Sequence, residues 1–237
     1  MPFWPNRFGL STIRSGLGVV SVLAGATARW DASQIAGANN DLIATFADVV
    51  GSNDATASGS ARATLKTANQ NGLNILRFDG VANAFTLTTP ISGDGPWTWA
   101  VVVKTNSGGM PLFGAISSYF AGCYRGDANG GHVGDKSQYQ FVSAGSSMPA
   151  PSAWEVVIVS HTGAALGGAY MVDGTGYALE NINYGPGNCG GDVEAFGRYR
   201  AVYIRGGDIG EIAYWPSVLS DDDKLAVTTE LSTKWGI

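Results

Sequence analysis

The chain of 237 residues is 45% hydrophobic and 14% charged, which supplies apolar material for one well-buried domain core and excludes a disordered chain. A formal charge of -5, with 14 Lys and Arg residues dispersed in no basic stripe, excludes the electrostatic footprint of nucleic-acid binding and of attraction to acidic membranes. The 34 glycines follow no three-residue period, which excludes collagen and favours strands joined by tight turns.

The chain opens with a segment, Met1 to Ala28, that has no clear periodicity. Within it "GLGVVSVLAGATA" follows Arg7 and Arg14 and has the look of a signal peptide. Glycines interrupt its apolar run and "FWPNRFG" before it is poor helix material, so the segment is expected to be retained without export processing. Its aromatics and arginines suit an extended strip laid on a partner surface, with Phe3, Trp4, Arg7 and Phe8 as the anchoring residues. No run approaches the ~20 apolar residues of a membrane span. The domain proper is expected from Arg29 to Ile237.

From Arg29 to Leu65 short apolar pieces alternate with Gly, Asn, Asp and Ser clusters, the pattern of strands joined by turns. "NILRFDG" (Asn74 to Gly80) is a strand ending in an Asp-Gly turn, and in "AFTLTT" Phe85 and Leu87 share one face while Thr86 and Thr88 share the other. "WTWAVVVK" places Trp97, Trp99, Val101 and Val103 on its core face. "WEVVIVSH" (Trp154 to His161) is apolar on both faces through its middle and so should be a central strand. "GAYMVDGTG" (Gly168 to Gly176) is a hairpin about Asp173-Gly174, and "AVYIRGGDIGEIAYW" supplies two further strands about Gly206-Gly207.

Sustained helical periodicity begins only after Ser220. That residue is a suitable N-cap, Asp221, Asp222 and Asp223 favour the positive end of the helix dipole, and Asp223 completes an S-x-x-D box. Val227, Leu231 and Trp235 form one apolar stripe, and Gly236 stands where a helix stops. The helix therefore has one face to bury, expected against the early strands.

Chemistry-bearing residues are sparse. Cys123 and Cys189 lie in no CxxC pair; they read as two ordinary thiols or as one disulfide closing a large loop. His132 and His161 have no second ligand at metal spacing, so no transition-metal site is expected. The polar stretch Arg125 to Gln140 carries Asp127, Asn129 and Asp135, oxygen donors of the kind calcium takes, at a spacing that matches no cage. It reads as a solvated loop, and no cofactor is expected. Of the tryptophans, Trp4 and Trp215 are expected to be exposed. A glycan site, where one exists, is expected in loops, with Tyr119, Asp135, Tyr139 and Asn188 as candidates.

"RWDAS", "IATFADVVGSNDAT", "LRFDG", "AYMVDG" and above all "GDIGEIAYWPSVLSDDDKLAVTTELSTKWGI" resemble the laminin-G-like branch of the concanavalin A-like lectin/glucanase superfamily over roughly Arg29 to Ile237. The resemblance implies an all-β, two-sheet antiparallel jelly-roll sandwich with one short C-terminal helix. Such domains are common in bacteriophage virion proteins and in bacterial surface or secreted proteins. The glucanase members carry paired carboxylates as E-x-D-x-x-E; here Glu155, Glu180, Glu194 and Glu211 each stand alone, so no enzyme is expected.

The resulting expectation is a non-enzymatic phage virion protein, a capsid decoration or a tail or fibre component, assembled in the host cytoplasm. Its partners would be other virion proteins, copies of itself and host-surface glycans. The alternative is an extracellular carbohydrate-binding lectin or adhesin of a bacterium, outside any virion.

Overall fold

A computed structural model describes residues 21–106, 110–115, 122–125, 131–134, 139–142, 153–163, 168–177, 179–182, 192–198 and 206–237. Numbered in chain order, the strands of the first sheet are β1 (Ala28–Asp31), β2 (Leu42–Ile43), β5 (Ala63–Gln70), β6 (Leu73–Phe78), β8 (Pro96–Thr105), β13 (Glu155–Thr162), β14 (Gly168–Val172), β15 (Thr175–Tyr177) and β18 (Gly207–Trp215). The second sheet holds β3 (Thr45–Phe46), β4 (Ala55–Thr56), β7 (Phe85–Ile91), β9 (Met110–Gly114), β10 (Gly122–Arg125), β11 (Gly131–Gly134), β12 (Tyr139–Val142), β16 (Leu179–Ile182) and β17 (Val193–Phe196). One α-helix, α1 (Asp221–Trp235), follows among the described residues.

The first sheet runs β15-β14-β13-β8-β18-β6-β5-β2, with β1 added on β18; the second runs β16-β12-β11-β10-β9-β17-β7-β4-β3. All ladders among the described strands are antiparallel, and the two sheets face each other as the expected sandwich.

The strand period explains why one sheet serves two cores. On β8, Trp99, Val101 and Val103 point between the sheets while Ala100 and Val102 point outward; on β13, Val157 and Val159 point in while Val156 and Ile158 point out. The inner core is aromatic at its centre: Trp30 stacks 6.1 Å from Trp99 and meets Phe196 edge-on at 4.7 Å, and Trp99 stacks on Phe113 at 4.5 Å. The outer core is closed by α1, whose Val227, Leu231 and Trp235 pack with Ile75, Ala100, Val102, Val156, Ile158, Ala213 and Trp215. The helix therefore lies mainly over the central strands, of which β6 alone is early in the chain, and not over the early strands at large.

A β-bulge decides what lies beneath the helix. Along β18, Ile209 is paired with Val103 and Glu211 with Val102, so Gly210 is the extra residue. Strict alternation would aim Glu211 into the aromatic core together with Ile209. The bulge turns it outward toward α1 and returns Ile212 to the inner core. A Cβ on Gly210 would lie 3.0 Å from three carbons of the Trp235 ring, so the absence of a side chain lets that indole rest on the strand. Trp154 stacks on the same ring at 6.3 Å.

Both helix ends are closed as expected. The Ser220 hydroxyl accepts from Asp223 N at 3.1 Å and donates to the Asp223 carboxylate at 2.7 Å. Gly236 takes the left-handed conformation at φ 66. The β5–β6 turn adds two donors, Gln70 Nε2 to the Trp235 carbonyl at 2.7 Å and Asn71 Nδ2 to the Lys234 carbonyl at 2.9 Å.

Three expectations change. Trp215 is buried, because the bulge leaves it on the outward face and the 3-10 turn Leu23–Gly25 covers that face. Leu23 and Ala26 pack into the outer core and Ala28 begins β1, so residues 21–28 join the sandwich. Gly207 belongs to β18 itself.

Trp235→Ala should lower the unfolding free energy by about 3–5 kcal/mol, read from urea denaturation of the full chain. Gly210→Val should also destabilise it by displacing the same ring.

Candidate functional site

Among the described residues, two regions gather polar side chains: a buried carboxylate pair under the C-terminal end of α1, and a cleft beside its N-terminal end.

Asp31 and Glu211 are directly opposite one another on β1 and β18, and their side chains are 1% and 0% exposed. Two like charges in that register repel, so cations must intervene. Arg29 Nε donates to Glu211 Oε1 at 2.6 Å and its Nη2 to Asp31 Oδ2 at 3.2 Å. Lys234 Nζ, from the last turn of α1, donates to Asp31 Oδ2 and to Glu211 Oε2, both at 2.6 Å. Trp235 Nε1 adds a bond to Glu211 Oε2 at 3.0 Å, and Ser33 supplies its backbone N–H and hydroxyl to Asp31 Oδ1. All four carboxylate oxygens are therefore occupied. Burial alone would push the Asp31 carboxyl up. The Lys234 and Ser33 hydrogen bonds, the Lys234 charge and the Gln34 amide outweigh it and hold the group below the ordinary aspartate value.

Other described carboxylates are committed to the scaffold in the same way. Asp48 accepts the backbone N–H groups of Arg29, Val50, Gly51 and Asn53, which override the effect of burial and hold its carboxyl low. Asp79 caps the turn formed by Val81, Ala82 and Asn83. Asp208 takes a bidentate pair of bonds from Arg77 at 2.7 and 2.8 Å.

The second region is an open cleft of about 380 Å³ between the outer face of β13, β14 and β15 and the first turns of α1. Ser160, Ala169, Met171 and Gly176 form its floor, and Asp221, Lys224 and Leu225 its wall. Its floor is open at Gly176, where a Cβ would meet nothing within 4 Å, and Gly174 takes the left-handed conformation of the hairpin turn at φ 80. Lys224 Nζ pairs with Asp221 Oδ1 at 3.0 Å. This ammonium, hydroxyl and carboxylate around small apolar surface can bind and orient a polar ligand.

The residues singled out from sequence fall elsewhere. Tyr139, expected on a loop, begins β12, opposite Gly134 and Ile182. Tyr119, Asp135 and Asn188 lie outside the described residues, as do Phe3, Trp4, Arg7 and Phe8, the loop donors Asp127 and Asn129, and Cys189. Cys123 of β10 stands opposite Val133 and His132 of β11 opposite Tyr124 in the second sheet. His161 is buried, stacks on Trp97 at 5.6 Å and accepts from Gly163 N through Nδ1. Among the described residues, no group of three or more His, Cys, Asp and Glu side chains could hold a metal ion, and no helix is long and apolar enough to cross a membrane. Sequence reasoning missed the cleft; its one visible signal is Lys224, three residues before Val227 on the buried stripe of α1.

Comparison with known proteins gives structural likeness without sequence kinship. No protein-family model matches the chain, and no curated protein matches it. Among solved structures, a Trypanosoma rangeli sialidase in complex with sialic acid aligns with TM-score 0.57 at 16% identity, over 94% of this chain and 35% of the sialidase. The botulinum neurotoxin serotype D binding domain aligns with TM-score 0.60 at 10% identity, over 89% of this chain and 52% of that one. The receptor binding domain of the botulinum neurotoxin C/D mosaic serotype gives 0.61 at 10%, over 88% and 52%. At these identities the likeness is one of fold. The chain spans about a third of the sialidase and about half of each toxin domain.

The depressed Asp31 carboxyl sets a pH dependence. A group whose value is lower in the folded state stabilises the fold above its unfolded value, near 3.8, and loses that contribution as pH falls through and below it. Asp31→Asn should therefore be less stable than the native chain at pH 7, and the gap should close progressively on acidification below about pH 4. Urea midpoints of both chains across pH 7 to 2.5 check this; a gap constant with pH would contradict it.

Proposed function

We propose that this chain is a non-enzymatic recognition sandwich that binds host-surface glycans. The observation that carries the reading is the outer-face cleft, where an ammonium, a carboxylate and a hydroxyl surround small apolar surface in a sandwich whose other described acids largely serve the scaffold. The commonest glycoside hydrolases use one protonated and one ionised carboxyl facing the substrate across roughly 5–9.5 Å. Asp31 and Glu211 instead face each other under a helix, with every oxygen bonded to the protein. In the cleft, Lys224 is paired with Asp221, an arrangement that anchors a ligand and leaves Ser160 without a base. The likeness to a neurotoxin receptor binding domain and to a sialidase that binds sialic acid supports recognition of the same broad kind.

The finer placement, on a bacteriophage particle as a capsid decoration or a tail or fibre component, rests on the resemblance of the closing stretch to laminin-G-like domains. There residues 1–20 would join the sandwich to the particle through Phe3, Trp4, Arg7 and Phe8.

A labelled full chain on a glycan array should retain a defined subset of glycans and release no sugar from them over hours. Retention of none, or turnover of any, would contradict the reading. The chain should also appear by mass spectrometry among the proteins of purified particles; recovery only from the medium would contradict the particle placement.

A further inference from the structure

We infer that the cleft beside the first turn of α1 seats the terminal residue of a neutral glycan and discriminates against acidic sugars; the inference rests on the glycan-recognition reading and gives it an address and a ligand class.

Lys224 is the first sign. The buried positions of α1 are Lys224, Val227, Thr228, Leu231 and Trp235, so a lysine occupies a place in the stripe that packing alone would give to an apolar residue. It is 6% exposed, and Asp221, its ion-pair partner among the described residues, has a side chain 87% exposed. A pair with so solvated a partner does little to offset the desolvation of the ammonium. Two of its three donors remain for a ligand.

Ser160 is the second sign, on a different element. It is 2% exposed and stands on β13 between Thr98 of β8 and Ala169 of β14. The neighbouring Thr98 hydroxyl is fully used, donating to the Ser217 carbonyl and accepting from Leu219 N. The Ser160 hydroxyl lines the cleft and makes no hydrogen bond among the described residues. What little of Ser160 is exposed opens on the cleft, where its hydroxyl can exchange water for a ligand hydroxyl.

Size and charge then select the ligand. A cleft of about 380 Å³ is at the small end of ligand sites, and Met171 with the 45% exposed Leu225 offers apolar surface to the C–H face of a pyranose. Lys224 and Asp221 cancel, and Asp222 and Asp223 continue the acidic start of the helix. A sugar carboxylate would meet uncompensated negative charge there. A neutral ring with vicinal hydroxyls matches all three groups: Lys224 donates, Asp221 accepts, and Ser160 does either.

The test is saturation-transfer NMR on the full chain with the methyl pyranosides of glucose, galactose, mannose and N-acetylglucosamine, and with N-acetylneuraminic acid as the acidic probe. At least one neutral pyranoside should receive saturation. Its affinity should fall at least tenfold in Gly176→Phe, which fills the cleft from a position with open space around its Cβ, and in Lys224→Met, which keeps the packing and removes the charge. Ser160→Ala, the mildest change, should weaken binding by several-fold, and thermal midpoints confirm that each variant is folded. Transfer to N-acetylneuraminic acid alone, or neutral-sugar binding that survives in a folded Gly176→Phe, overturns this inference while leaving glycan recognition in place. Transfer to no probe overturns both.

Discussion

Two carboxylates of like charge, set opposite each other on neighbouring strands and sealed from water, are the constraint around which this molecule is arranged. Asp31 and Glu211 could not share that register unless cations reached them. Arg29 comes from β1 beside them, but Lys234 comes from the last helical turn of the chain. The ion network thus joins the first strand, the last strand and the C-terminal helix. It fixes where the helix must end.

Much of the surrounding geometry follows from that position. The bulge at Gly210 brings Glu211 to the outer face, and the bare glycine admits the Trp235 ring, whose Nε1 completes the Glu211 shell. With its C-terminal end pinned over β18, the helix lays its middle across the outward valines of β8 and β13 and starts over β13–β15, where small side chains leave a gap. The cleft is the space left where the helix begins over a floor of Ser160, Ala169, Met171 and Gly176. Scaffold and candidate site therefore have separate chemistry: bonded carboxylates at one end of α1, and ligand-accessible polar groups at the other.

Much of the fold was legible in the sequence because local rules dictate it. Asp173-Gly174 takes positive φ at both turn residues, "WEVVIVSH" is central because both of its faces are apolar, and Ser220 and Gly236 close the helix as their chemistry requires. The bulge was not legible, since one extra residue changes which side of β18 each later residue faces without leaving a compositional mark. Trp215 reads as exposed because it stands just before Pro216, and it is buried because the turn Leu23–Gly25 covers the outer face of β18. The candidate site was hidden for a related reason: Ser160 and Lys224 are ordinary residues 64 positions apart by their numbering, and only the packing of α1 on β13 gives them a common cleft.

If the carboxylate pair is the latch that positions the helix, Glu211 and Lys234 must be energetically coupled. A double-mutant cycle on Glu211→Gln and Lys234→Met, followed by urea denaturation of the full chain at pH 7, measures this directly. The account predicts a coupling free energy of about 0.5–3 kcal/mol. Effects of the two substitutions that simply add, to within about 0.3 kcal/mol, would contradict it.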